Sequence, residues 1–246
     1  MSLIYEPRGR AFEYSPLACN LAVGCVHRCR YCFGPGSFRV APENWGTPRF
    51  KENAVEKFEK DAQKLQGDPR DILFSFASDP YMNAEAAGLM SKILPIAELY
   101  RLRVQVLTKN PSLALNTSAS LLKRNGWKLG VTMIMVSETL REQWEPGAPT
   151  IADRFQALKD AHVIGIPTWV SIEPVVDVDE ALTSIEKVMP YADFLKVGKL
   201  NHMPEEKAID WADFLARARA VLGDHPHLIK DDLLKFDAER TDKPCE

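Results

Sequence analysis

Cys25-Val-His-Arg-Cys29-Arg-Tyr-Cys32 puts three thiols within eight residues, after an apolar run from Leu17 to Val23 and a glycine, Gly24. A loop this short wraps three sulfurs around one face of a compact metal centre. A four-iron cluster held by three cysteines keeps one iron free of protein ligands, and that iron can take a substrate. A closed zinc site or a purely structural cluster wants a fourth thiolate or a histidine. The usual zinc patterns, two C-x-x-C pairs or a cysteine pair with a histidine pair, are absent. Two alternatives stay open on the residues alone. One is zinc with His27 or a distant histidine as fourth ligand; the other is buried thiols with no ligand. Cys19 lies six residues before Cys25, where an extended chain carries it away from the loop, and Cys245 is penultimate in a polar tail.

Outward from this loop, apolar runs and helical periodicity alternate. The run Leu17 to Gly24 is a first strand ending at the cysteines. Val55, Phe58, Ala62 and Leu65 recur at helical spacing. Ile72 to Phe76 predicts a buried strand, and Ala84 to Leu99 a helix bent or stopped at Pro95. Further strands are expected at Val104–Leu107, Leu129–Val136, Thr168–Ile172 and Phe194–Val197. Helices are expected from Pro111, from Thr150 as a cap with Asp153 three residues on, through Leu182, Ile185 and Val188, and through Trp211, Phe214 and Leu215. Repeated strand–helix units imply a parallel sheet, whose sites form at the carboxyl ends of the strands. The cysteine loop, Ser78-Asp79, Thr108-Lys109 and Lys199 all fall at such ends. The expected organisation is one α/β domain over residues 1–234 and a loose polar tail over 235–246.

Composition narrows the class. At 246 residues, 46% hydrophobic and 26% charged, the chain reads as an ordinary globular protein. No apolar stretch approaches a membrane span, and the N-terminus lacks a basic region followed by an apolar core. Five cysteines, three of them clustered, suit a reducing cytoplasm better than a disulfide framework. The net charge of −3 argues against a dedicated nucleic-acid surface, while leaving room for a local basic patch.

The C-x-x-x-C-x-x-C spacing resembles the signature of the radical S-adenosylmethionine (radical SAM) superfamily. The surrounding residues resemble its spore photoproduct lyase-like branch: Gly9-Arg-Ala-Phe-Glu-Tyr14-Ser-Pro, Asn20, Ser78-Asp79-Pro80-Tyr81, Thr108-Lys109, Glu145-Pro146-Gly147-Ala148-Pro149 with Arg154, and Val197-Gly198-Lys199-Leu200-Asn201. The resemblance runs from about residue 5 to about residue 202. It implies an open partial (β/α)6 TIM-like barrel with the cluster loop after the first strand. It also implies an oxygen-sensitive [4Fe–4S] cluster on Cys25, Cys29 and Cys32, and S-adenosylmethionine cleaved reductively to a 5′-deoxyadenosyl radical. Lyase or transferase chemistry is left open, as is the substrate.

The resemblance extends to cofactor-binding candidates. Tyr31 would help cover the adenine, against the alternative of packing over the loop. Ser78 and Asp79 would meet the methionine amino group, against a helix-capping role that Asn83 can fill instead. Lys109 would neutralise the methionine carboxylate. Thr132 aligns with a hydroxyl residue that contacts the cofactor. Lys199, with Asn201, would line the pocket. Glu173 would face ribose or substrate, or else pair with Arg154 or a lysine; Glu145 and Arg154 are a candidate structural pair. His27, Arg28 and Arg30 would tune the cluster, meet a phosphate or stand solvated.

One departure counts. The lyases return a hydrogen atom from a cysteine at the second strand, where this chain has Phe74-Ser-Phe76-Ala77-Ser78. The likeness therefore implies the fold and radical generation, not the repair reaction. Expected partners are a low-potential electron donor such as flavodoxin or ferredoxin, and a further protein that completes the site. The rivals to an unidentified substrate are DNA or RNA repair or modification by the same chemistry, with the base flipped out, and a non-enzymatic zinc-binding protein.

Overall fold

Strands buried on both faces need helices on the outside of the sheet, and the alternating pattern supplies them. In the computed structural model, which describes residues 2–237, the strands are β1 (Ile4–Tyr5), β2 (Leu17–Cys19), β3 (Ala22–Val23), β4 (Arg49–Phe50), β5 (Asp71–Phe74), β6 (Arg103–Thr108), β7 (Lys128–Thr132), β8 (Thr168–Val175), β9 (Phe194–Lys199) and β10 (His227–Ile229). The helices are α1 (Gly34–Phe38), α2 (Pro42–Trp45), α3 (Ala54–Lys64), α4 (Ala84–Leu99), α5 (Pro111–Asn125), α6 (Glu138–Trp144), α7 (Ile151–Val163), α8 (Val178–Val188), α9 (Trp211–Leu222) and α10 (Asp231–Leu234).

The main sheet has the order β1-β2-β5-β6-β7-β8-β9-β10, and β3 pairs with β4 in a separate antiparallel ribbon. Every pair from β2 to β10 is parallel; only β1 runs antiparallel, along β2. Strands follow one another in chain order and β1 and β10 are the two edges, which is an open, singly wound barrel. The six expected strands are its centre. Buried Asp61 of α3 binds β1 by accepting the Leu3 and Ile4 amides at 2.5 and 3.1 Å.

The core of the described residues has two large clusters and a small third of Ala22, Met82 and Ala86 beside the cysteine loop. Phe58, Phe74, Met90, Leu94 and Leu122 pack α3–α5 on the first strands. Leu158, Ile172, Ile185, Val197 and Phe214 pack α7–α9 on the last. Each such fully buried side chain contributes about 1.5–3 kcal/mol relative to exposure.

Several expectations are corrected. Helix α4 runs through Pro95 without stopping. Proline frees the carbonyl four residues back, at Ser91, and both residues lie on the exposed face, where water can satisfy it. The strands expected to reach Phe76 and Val136 end at Phe74 and Thr132, and β8 runs on to Val175 past an irregularity. Helix α6 and the short edge strands β1 and β10 have too few residues for periodicity to register. Two expected caps are present: Asn83 accepts the Ala86 amide at 2.9 Å, and Thr150 that of Asp153 at 3.1 Å. Of the tail, Phe236 sets its ring against Trp211 and Asp237 accepts from Arg219 at 2.6 Å. Residues 238–246, including Cys245, lie outside the described residues.

Candidate active site

A cavity of about 760 Å³ opens at the carboxyl ends of the strands. Cys25, Cys29, Cys32, Tyr31, Ser78, Asp79, Lys109, Thr132, Glu173 and Lys199 all line it. Cys19 does not; it is fully buried on β2. Residues more than a hundred positions apart meet here because β5 to β9 end side by side.

The cysteine loop is fixed from several sides. Asn20 accepts the Phe76 and Ala77 amides at 2.8 and 3.0 Å and donates to the Tyr5 hydroxyl at 2.7 Å. The Gly24 amide donates to Ala77 O, and the Cys25 amide to Trp45 O. His27 is buried, with Nε2 3.1 Å from Asp79 Oδ2 and Nδ1 3.1 Å from Gly147 O. Gly147 in turn donates its amide to His27 O at 2.9 Å. A Cβ at residue 147 would fall 2.3 Å from Val26 O, so only glycine lets the 145–149 segment press on the loop.

Asp79 is the hub of this anchoring. Its carboxylate accepts from the Tyr81 amide, Thr108 Oγ1 and the Lys109 amide at 2.8, 2.6 and 2.7 Å, besides His27. Burial pushes its pKa up, but the His27 ring, the Thr108 hydroxyl and the Lys109 amide outweigh this and hold it below the usual carboxylate range. With both oxygens engaged inside the protein, Asp79 anchors the loop while still lining the cavity. His27 is likewise a tie rather than a solvated base. Ser78 keeps its hydroxyl 3.2 Å from that of Ser75, which donates to Ser78 O.

Beneath the thiols lies a charged floor. Glu145 and Arg154 are completely buried and paired at 2.5 Å, as the sequence suggested. Arg154 also donates to Pro149 O at 3.0 Å and Thr132 O at 3.3 Å. The Tyr31 hydroxyl donates to Glu145, and Lys109 Nζ stands 3.7 Å from the same carboxylate and 5.4 Å above the Tyr31 ring. Burial acts to raise the Glu145 pKa, and Arg154 and Lys109 overcome it. Burial pushes the Cys29 thiol up to about 12, with Lys109 as the main opposing charge. An electron-poor metal bound to the sulfurs would supply the missing positive charge.

The far wall carries Glu173. It accepts from the Tyr14 hydroxyl and lies 3.6 Å from Lys230 Nζ, so its lysine partner is Lys230 and not Arg154. Burial raises its pKa against the pull of Lys230. The Tyr14 hydroxyl also sits 3.1 Å from Ser171 Oγ. Sequence reasoning missed Lys230, which follows an edge strand too short to recognise, and gave no role to Tyr14, whose motif was visible. Lys199 directs its charge to Asn201 at 3.2 Å and Glu206 at 3.5 Å, above the Trp211 ring at 5.3 Å. Lys199 and Asn201 both line the cavity, with this ion pair beside them.

The donor set fits an iron–sulfur cluster. Three thiols stand on one loop over a lysine, and the buried Trp45 Nε1 on the cavity wall has no hydrogen-bond partner. Among the described residues no three His, Cys, Asp or Glu side chains converge where a single ion could be held. Thiolates that each bind a different iron of one cluster need not converge in that way.

A family model, that of the radical SAM superfamily, matches residues 19–189. An uncharacterised protein of Acidianus two-tailed virus is 24% identical over 193 residues, covering 69% of this chain and 62% of its own length. Another, from Methanocaldococcus jannaschii, is 25% identical over 187 residues, covering 74% of this chain and 69% of its own. A variant of spore photoproduct lyase superposes with a TM-score of 0.69 at 13% identity, over 91% of this chain and 78% of the lyase. SuiB of Streptococcus suis, bound to S-adenosylmethionine, gives 0.63 at 14% identity, over 90% of this chain and 52% of SuiB. The chain thus spans less than two thirds of the viral relative and about half of SuiB. At these identities the two solved structures carry the fold alone.

Proposed function

The chain belongs to the radical SAM superfamily of enzymes, which use a [4Fe–4S] cluster and S-adenosylmethionine, and on that premise we propose that Cys25, Cys29 and Cys32 each bind one iron and that the enzyme takes a hydrogen atom from a substrate still to be identified. The observation that carries this reading is the meeting of all three cysteines with Lys109 in one cavity. When bound, cluster and cofactor supply a 5′-deoxyadenosyl radical. The chain's own residues do the rest. His27 and Gly147 hold the loop rigid, and the Glu145–Arg154 floor orients Lys109. Lys109 neutralises the methionine carboxylate in a partly dehydrated pocket. Tyr31 covers the adenine, and Ser78 and Thr132 offer hydroxyls to the cofactor. Glu173 and Tyr14 face the ribose or the substrate at the far wall. The expected test result is slow 5′-deoxyadenosine formation by the anaerobically reconstituted, reduced protein without added substrate. A loaded, strongly reduced protein that makes none sinks the proposal. A colourless protein with zinc and no iron or sulfide would favour the zinc-binding alternative.

Lys109→Ala is expected to weaken S-adenosylmethionine binding ten- to hundredfold, from the loss of one charge-assisted contact of about 1.5–3 kcal/mol. Iron content should hold, because Glu145 keeps Arg154 as its partner. Equal affinity for wild type and variant in a binding titration would remove this role.

A nucleic-acid substrate is the second reading. Between Asn20 and Lys51 stand five basic residues (Arg28, Arg30, Arg39, Arg49, Lys51) against one acidic residue, Glu43, in a chain of net charge −3. Phe33, 54% exposed, borders the cavity in the same segment, so charge and a stacking surface coincide. Single-stranded DNA or RNA should then bind with an affinity that falls steeply with salt; no binding at low salt rejects this reading. A low-potential donor such as flavodoxin or ferredoxin would supply the electron, and a second protein would complete the cavity, in line with the longer SuiB chain. No helix of the described residues is long and apolar enough to cross a membrane. We place the enzyme in the cytoplasm, where thiols stay reduced.

A further inference from the structure

We infer that the Trp45 indole N–H donates a hydrogen bond to the Cys32 sulfur once that sulfur is a cluster thiolate, and that this bond raises the reduction potential of the cluster. The inference rests on the cluster ligation proposed above and goes beyond it, since tryptophan binds no iron.

Trp45 ends α2, outside the cysteine motif, and is only 3% exposed. Its Nε1 is buried on the cavity wall and has no hydrogen-bond partner. An indole N–H is a donor only, and a buried donor without an acceptor destabilises the fold. The ring is nevertheless held firmly in place. A Cβ at residue 34 would fall 2.1 Å from it, so Gly34, two residues after Cys32, is what admits the ring edge. Phe38 stacks on it at 6.2 Å. The carbonyl of Trp45 accepts the Cys25 amide at 2.9 Å, so the same residue ties the first cysteine. Gly34 follows Cys32 by two residues, a Cβ there would meet the indole at the carbon bonded to Nε1 as well, and Cys32 and Trp45 line the same cavity, which sets the indole edge on the stretch of wall that carries this sulfur.

A neutral thiol is a weak acceptor, whereas a cluster thiolate carries negative charge and accepts well. The reduced cluster carries one more negative charge, so an N–H aimed at its sulfur stabilises the reduced state more than the oxidised one. Water admitted by a smaller side chain would act in the same direction as the lost bond acted, so the sign of the change separates the two effects.

The test is an EPR-monitored redox titration of reconstituted wild type, Trp45→Phe and Gly34→Ala. Iron and sulfide are assayed first, and a wild type without iron defeats the ligation proposal, not this one alone. With clusters loaded, Trp45→Phe is expected to shift the midpoint to more negative potential. Gly34→Ala, which displaces the ring, should shift it the same way. An unchanged or more positive midpoint in Trp45→Phe overturns the inference. Should Trp45→Phe fail to take up iron, the wild type decides by itself. Grown with tryptophan labelled with nitrogen-15 at the indole, it should show an indole nitrogen coupled to its reduced cluster near a cysteine sulfur, and that coupling should be lost in Gly34→Ala. Its absence from wild type overturns the inference equally.

Discussion

Cys29→Ala, reconstituted anaerobically with iron and sulfide, is expected to emerge without cluster absorbance, while Cys19→Ala keeps it in full. Cys29 is the central ligand of a loop that offers one sulfur per iron, and two thiolates cannot hold a cluster that no histidine or fourth cysteine supports. His27, the nearest substitute, is held by Asp79 and Gly147 on its two ring nitrogens and has none to give. Cys19 is completely buried on β2, beside Leu17 and Ala18, away from the cavity. Its truncation removes one buried sulfur, worth about 1 kcal/mol of transfer free energy, and no ligand. Iron and sulfide assays with the absorption spectrum read both variants. Loss of the cluster in Cys19→Ala would mean four-cysteine ligation, and the open iron would have to be abandoned.

The other large effect is thermodynamic. Arg154→Met is expected to lower the unfolding free energy by about 3–5 kcal/mol, the usual result of stripping one partner from a buried ion pair. Glu145 has no exposure to water. Without Arg154 it keeps only Lys109 at 3.7 Å and the Tyr31 hydroxyl. A domain is stable by about 5–15 kcal/mol, so this is a large share. Urea denaturation should show the midpoint fall with the slope unchanged. Adding Glu145→Gln should recover part of the loss, because the orphaned charge is gone; a single variant with the wild-type midpoint would refute the coupling. The pH dependence has a definite sign. The folded-state carboxyls of Glu145 and Asp79 both lie below their ordinary values. Their contribution is therefore complete above the ordinary carboxylate range near pH 4 and is lost as the pH drops through the lower folded values.

The barrel was legible because its signal is repetitive. Long runs such as Thr168–Ile172 and helical faces such as Val55-Phe58-Ala62 appear in any reading of periodicity. Candidate residues at strand ends could be named together because parallel topology brings those ends to one rim. What each side chain does there was less legible. Asp79 is bound by His27, Tyr81, Thr108 and Lys109, and Lys199 pairs with Glu206; both facts depend on neighbours that periodicity cannot supply. The Tyr14–Glu173 contact spans 159 residues of chain. The continuity of α4 through Pro95 depended on which face of the helix meets water.

The split core has a consequence for finding the substrate. One half is built on β2, β5 and β6, the other on β8 and β9, and the cavity draws its wall from both ends of the sheet: Ser78, Asp79 and Thr108 at the first, Ser171, Glu173 and Lys199 at the second. A ligand that fills the cavity bears on both halves at once, as a keystone bears on two arches. Occupancy at such a seam favours the folded chain by mass action. The melting temperature of the loaded protein then becomes an assay in its own right. Small molecules and oligonucleotides can be ranked by how far they raise it, before any product of the reaction is known.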